Sequence, residues 1–151
     1  MRGFVRFLQD LALLLARIGF GLLLVLHAWH RWENVGMPQE VDLLRQAGVP
    51  QPGLLAWGAL GLEAVGGVML VLGLAVPLVA LAVLVMNVLV IAWLKWGHGV
   101  YFHNDGFEHN LVQALLALVL TTFGSGRAGL DALFGRRRRE DPEQRMVRDV
   151  P

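Results

Sequence analysis

Apolar residues along this chain fall in long blocks, and four of the blocks organise everything else. Phe7 to Trp29, Leu54 to Leu74 and Val76 to Trp96 each run about as long as the roughly 20 helical residues that cross a hydrocarbon core about 30 Å thick. The fourth block, Leu111 to Phe123, is apolar except for Gln113 and is too short to cross alone. It reaches spanning length if its helix starts near Asn104. It then includes Asp105, Glu108, His109 and Gln113, which share one face at i, i+3, i+4 and i+8 spacing. Such a polar stripe must face a bundle or water, because lipid does not satisfy it.

The pattern predicts an all-α integral membrane four-helix bundle, with spans at about 7–29, 54–74, 76–96 and 104–124 in one domain covering residues 1–134. Residues 135–151 form a basic tail with no apolar period, expected to be unstructured or to lie along anionic headgroups in the cytoplasm. Gly73 to Pro77 leaves room only for a tight hairpin between the second and third spans. Between Trp29 and Leu54 a short rim helix is expected. Pro38 starts it, and Gly48, Pro50 and Pro52 end it, with Val41, Leu44 and Ala47 on its inner side.

Charge sets the orientation. Nine of the thirteen Lys and Arg lie near the two ends, at Arg2, Arg6, Arg127, Arg136 to Arg139, Arg145 and Arg148. The loops on the other side hold Arg31, Arg45 and Lys95. The positive-inside rule makes both termini cytoplasmic (N-in, C-in) and the rim helix extracytoplasmic. No small-residue cleavage site follows the first apolar run, which is therefore expected to remain as an anchor.

Composition narrows the chemistry further. Hydrophobic residues make up 56% of the 151 positions and charged residues 17%, where soluble domains carry nearer a quarter. The aromatics lie in or beside the apolar runs, so the basic balance does not point to nucleic acid. The chain has no cysteine, which excludes disulfides, thiolate-bound metal or clusters and a self-contained thiol relay. Redox chemistry here requires a quinone, a haem, a metal held by other ligands or a partner subunit.

Two polar clusters are candidates for a site. Arg17 and Glu63 interrupt apolar runs at a depth where an isolated charge is costly, and Asn87 lies in the third run. Counted from the ends of their runs at about 1.5 Å per residue, Arg17 and Glu63 fall within roughly one helical turn in depth, close enough for arginine to bridge. Gly66 and Gly67, on the face of Glu63, permit close helix approach. Such a pair serves equally as a structural ion pair or as a site where Glu63 carries a proton or bonds a ligand head group, and both readings stand. Met69 and Met86 read as packing.

The second cluster is histidine. His27, His30, His98, His103 and His109 all fall at the same ends of the helices or in the loops there, near Glu33, Asp105 and Glu108. His27 and His30 can face one site at i, i+3. Imidazole with carboxylate suits a divalent metal, here His27, His30, His103 and His109, and also suits proton exchange with a quinone. Solvated or structural histidines are the plainer alternative. Trp29, Trp32, Trp57, Trp93 and Trp96 suit an interfacial belt, with Trp93 or Trp96 available to line a cavity.

From Leu15 to Leu133 the chain resembles the DoxX family of small four-helix bacterial membrane proteins. The resemblance rests on Ala16-Arg17-Ile18-Gly19-Phe20-Gly21, Ala47-Gly48-Val49-Pro50-Gln51-Pro52, Glu63-Ala64-Val65-Gly66-Gly67, Leu72-Gly73-Leu74, Asn104-Asp105-Gly106-Phe107-Glu108 and Phe123-Gly124-Ser125-Gly126-Arg127 with Leu130-Asp131. It implies a multi-pass protein of the bacterial plasma membrane tied to redox processes. One relative is a subunit of thiosulfate:quinone oxidoreductase, and others are linked to oxidative-stress defence with partner oxidoreductases. The family pattern falls on Arg17, Glu63, Glu108 and the region of Asp131, with His27 where the family has a polar residue.

The expectation is a subunit of a membrane redox system that binds a quinone head group. Arg17, His27, Glu63, Asn87 and Trp93 would line the site, and Glu63, Glu108 and His109 would exchange protons. Its expected partners are the lipid bilayer, oxidoreductase subunits and further copies of itself, with no nucleic acid. Extracytoplasmic metal handling and a scaffold acting through the arginine tail are the alternatives.

Overall fold

The computed structural model describes residues 2–101 and 105–124, and in these the chain is all-helical. Helix α1, Arg2–His30, continues without a break into a π-helical turn, Arg31–Val35. Helix α2, Met37–Gln46, is the rim helix, with Pro38 in its first turn and Met37 and Leu44 buried. Rod α3 covers Pro52–Leu72 and rod α4 covers Val76–His98. Helix α5, Glu108–Phe123, completes the set.

Three segments are long and apolar enough to cross a membrane: Phe4–Val35, Pro52–Leu72 and Val76–His98. The 16 residues of α5 extend about 24 Å, short of the hydrocarbon core. The polar stripe expected over its start is also revised. The helix begins at Glu108, and Asp105 lies in the loop before it with a φ of +59°. Gly106 allows that loop to fold back, because a side chain there would meet the backbone of Gly99 and Tyr101 at 2.6 Å. The backbone N–H groups of Gly106, Phe107 and Glu108 donate to the carbonyls of Tyr101, Gly99 and Val100. His103, Asn104 and residues 125–151, including Asp131 and the arginine tail, lie outside the described residues.

The α3–α4 connection is the tight hairpin that Gly73 and Pro77 predict. Gly73 (φ +75°) ends α3 in the left-handed region, and Leu74 N–H closes back on the Met69 carbonyl. Ala75 also takes a left-handed conformation (φ +46°) just before α4. Around this end the rods pack on Phe20, Leu24, Leu70, Val76, Val79, Ala80, Val83, Ala117 and Leu120, all buried. Lipid offers no water to expel, so close fit holds these helices together. Helix α5 lies antiparallel along α4, with Asn110 beside Asn87 near one end and Gly124 beside Pro77 at the other.

The register of α1 against α3 is set by two glycines. A Cβ on Gly21 would lie 2.6 Å from the Gly67 carbonyl oxygen, and one on Gly67 would lie 2.7 Å from that of Gly21. Gly67 sits against Gly21 and Val25, and Gly21 against Gly67 and Val71. Extending that antiparallel register places Glu63 level with His27. Arg17 falls roughly ten residues towards the hairpin, on the order of 15 Å away in depth. The expected proximity of Arg17 to Glu63 is therefore corrected. Counting from the ends of the apolar runs misjudged the depth, because α1 begins well before its run and the glycine contact decides how the rods slide.

Candidate functional site

Beyond the glycine contact, away from the hairpin, the rods, α5 and the rim helix line a half-open cavity of about 1000 Å³. Leu62, Val85, Met86, Leu89 and Trp93 supply apolar wall, while His27, Arg31, Glu63, His109 and Gln113 bring polar groups to it. Helix α2 contributes Glu40, Leu43 and Leu44 to the lining. The rim helix is seated by Met37, Leu44, Val49 and Ala56, with Val41, Ala47, Leu60 and Leu94 packed around them.

Glu63 is buried, its side chain 4% exposed, and its partner is Arg31 rather than Arg17. Arg31 reaches Glu63 Oε1 at 3.3 Å and Glu40 at 3.4 Å, so one guanidinium joins the rim helix to α3. The sequence reading placed Arg31 in a loop. The helix in fact runs past Trp29 and turns through Arg31–Val35, which carries that side chain over the cavity. Glu63 itself lies in a second π turn, Leu62–Gly66, and Lys95 in a third, Ile91–Lys95. All three π turns contribute residues to the cavity lining. A π turn inserts a residue and re-aims its neighbours, which suits a functional wall and is invisible to counting at 3.6 residues per turn.

The second polar group links α1 to α5. His27 Nδ1 donates to the Leu23 carbonyl at 3.0 Å, which leaves Nε2 as an acceptor in the neutral ring. His27 Nε2 lies 3.3 Å from His109 Nε2, and His109 Nε2 lies 2.9 Å from the Gln113 side-chain amide. The ring centroids are 5.1 Å apart, farther than the nitrogens, so the imidazoles converge through their Nε2 edges. One proton decides the pattern. Either His109 donates to His27 and Gln113 turns its oxygen inward, or Gln113 donates to His109 and two lone pairs face each other until a proton or cation enters between them. The arrangement can hold and hand over a proton.

The remaining expected residues distribute as follows. Trp93 lines the cavity. Asn87 is fully buried, donates to the Val83 carbonyl at 3.0 Å and accepts from Asn110 at 2.9 Å; it lies behind the wall. Arg17 is buried near the hairpin, outside the lining. Glu108 is exposed and also outside it. His30 lines the rim, with its Nδ1 2.8 Å from the Asn34 amide. His98 is exposed, and Lys95 pairs with Asp105 at 2.9 Å across the loop. Among the described residues no group of three or more His, Cys, Asp or Glu is placed to hold a metal ion. Gln113 and Glu40 carried no assigned role in the sequence reading, although Gln113 was the lone polar residue in its run.

Long apolar rods around a lined cavity define a multi-pass membrane protein. Within that class, the chain belongs to the DoxX family, whose model matches residues 12–96. The matched stretch takes in Arg17, His27, Arg31 and Glu63 and stops before α5 with His109 and Gln113. No curated protein and no solved structure matches the chain.

Proposed function

We propose that this chain is a subunit of a redox system in the bacterial plasma membrane, and that its cavity takes the head group of a lipid-soluble quinone. The observation that carries this reading is the meeting of apolar wall and converging polar groups in one space of about 1000 Å³. That is the upper end of the usual range for small-molecule sites, and it leaves room for a ring and the start of an isoprenoid tail. A bound quinone carries electrons and protons together. His27 and His109 hold and pass a proton at Nε2, and Gln113 orients His109. Arg31 fixes the carboxylate of Glu63, and Trp93 with Met86 flanks the ring. Electrons come from a partner oxidoreductase. The proton-exchange role expected of Glu108 passes to His27, which faces His109.

In the same reading both termini are cytoplasmic, α5 completes a fourth crossing with the residues before it, and the cavity opens on the extracytoplasmic side. The asymmetry of Lys and Arg supports this orientation. Because the chain lacks cysteine, a single introduced thiol at Asn34 or Arg6 reports sidedness by labelling with impermeant maleimide. The proposal expects label at Asn34 in intact cells and at Arg6 only after permeabilisation.

Quinone binding is tested with the full chain in detergent or nanodiscs, using short-chain ubiquinone and intrinsic tryptophan fluorescence, with Trp93→Phe identifying the part that comes from Trp93. Saturable quenching that weakens at least tenfold in His109→Ala and Gln113→Ala is expected; quenching that never saturates would remove the quinone. One observation favours a second reading. Two imidazole nitrogens 3.3 Å apart match neighbouring ligands of a tetrahedral ion with bonds of 2.0–2.1 Å, whose nitrogens lie about 3.3–3.4 Å apart. Metal that copurifies in stoichiometric amount and is lost in His27→Ala would favour that reading.

A further inference from the structure

Glu63 has one carboxylate oxygen engaged and one idle. Oε1 meets Arg31, whereas Oε2 is buried with no hydrogen-bond partner. In the carboxylate form that pairs with Arg31, the group only accepts hydrogen bonds. An idle buried acceptor of this kind is costly and calls for a donor. Glu63 lines the cavity, and the last torsion of a glutamate is soft and roughly two-fold, so its carboxylate can re-aim when a donor enters the space.

The surroundings point the same way. His27, level with Glu63 across the α1–α3 contact, spends its Nδ1–H on the Leu23 carbonyl and keeps Nε2 as an acceptor. The charged residues of the lining comprise three carboxylates, Glu40, Glu63 and Asp105, against two cations, Arg31 and Lys95. Both cations are already ion-paired within the lining.

We propose that the ligand of this cavity brings an O–H or N–H donor to Glu63 Oε2 with an apolar body along α3 and α4. Resting on the quinone reading, this means that the site selects the reduced, hydroxyl-bearing form over the oxidised one. A quinone carbonyl would set lone pairs against lone pairs at Oε2, whereas a quinol hydroxyl donates to it. Tighter binding of the reduced form also makes the bound couple easier to reduce, by about 30 mV for each factor of ten. The site therefore favours accepting electrons from a partner.

The test compares binding of short-chain ubiquinol and ubiquinone to the full chain, kept anaerobic, in the wild type, Glu63→Gln and Glu63→Asp. The wild type is expected to bind the quinol at least tenfold tighter. Glu63→Gln, whose amide offers a donor as well as an acceptor, should narrow the ratio below threefold, and Glu63→Asp should keep most of it. Equal binding of both forms by the wild type, or a ratio unchanged in Glu63→Gln, overturns the selection while leaving the quinone reading in place. The wild-type ratio stands even if a variant does not fold. Failure of both forms, with saturable binding of a long-chain amine that Glu63→Gln weakens tenfold, removes the quinone and keeps the donor assignment. Failure of all three probes overturns both.

Discussion

The two ends of the bundle use the same rods in opposite ways. Towards the hairpin, Phe20, Leu24, Leu70, Val83, Ala117 and Leu120 are all but fully buried. Towards the rim, the rods surround a half-open cavity lined by three carboxylates and two cations. The contact of Gly21 with Gly67 lies between them. It brings the backbones of α1 and α3 together so closely that only hydrogen fits on either Cα. A dry packed half thus holds the rods in register, and the other half is free to host groups that lipid would reject. Arg17 is buried near the hairpin, whereas Glu63, His27, His109 and Gln113 occupy the half that close packing does not need.

Closing the glycine contact should do the most damage. Gly67→Val pushes a branched side chain onto the Gly21 carbonyl and Val25, neither of which can retreat without moving a helix. Overpacking of this kind costs about 1–3 kcal/mol or more, and a lower melting temperature in detergent, followed by intrinsic tryptophan fluorescence, is the check. His27→Ala and His109→Ala attack the other half. Each removes one side of the α1–α5 polar link but no part of the dry core, so melting should change by under about 1 kcal/mol while ligand binding falls at least tenfold. Ala75→Gly is the smallest change and of opposite sign. It relieves a left-handed residue at the hairpin and should stabilise by about 0.5 kcal/mol, read as a small rise in melting temperature with binding unaltered.

Much of the dry half is legible in the sequence. The first and third long apolar runs fall within their rods and the second overruns its rod only by Gly73 and Leu74, the hairpin turns where Gly73 and Pro77 place it, and the rim helix starts and stops at its prolines and glycine. The cavity half is legible residue by residue and not as an assembly. Glu63, His27, His109 and Trp93 stand out because each interrupts or bounds an apolar run. Their neighbours do not, because contacts across helices depend on how rods slide. Arg31 was hidden by its position two residues beyond the run that ends at Trp29. Arg17 was drawn towards Glu63 by a depth count that ignored the Gly21–Gly67 register. The meeting of His27 with His109, 82 positions apart, needs α5 to dock antiparallel on α4 first.

The three π turns carry a consequence for how this wall can be changed. Each is, in effect, an insertion that the helix has absorbed, one residue more than a plain turn would hold. Deleting Ala64 would let Leu62–Gly66 relax into ordinary helix, with the flanking segments near their present register and the residues of the turn itself re-aimed. Glu63 would keep its identity and lose its direction. The polar wall is therefore encoded in the count of residues as well as in their kinds, and a single-residue deletion disarms it where most substitutions on the lipid-facing side would pass unnoticed.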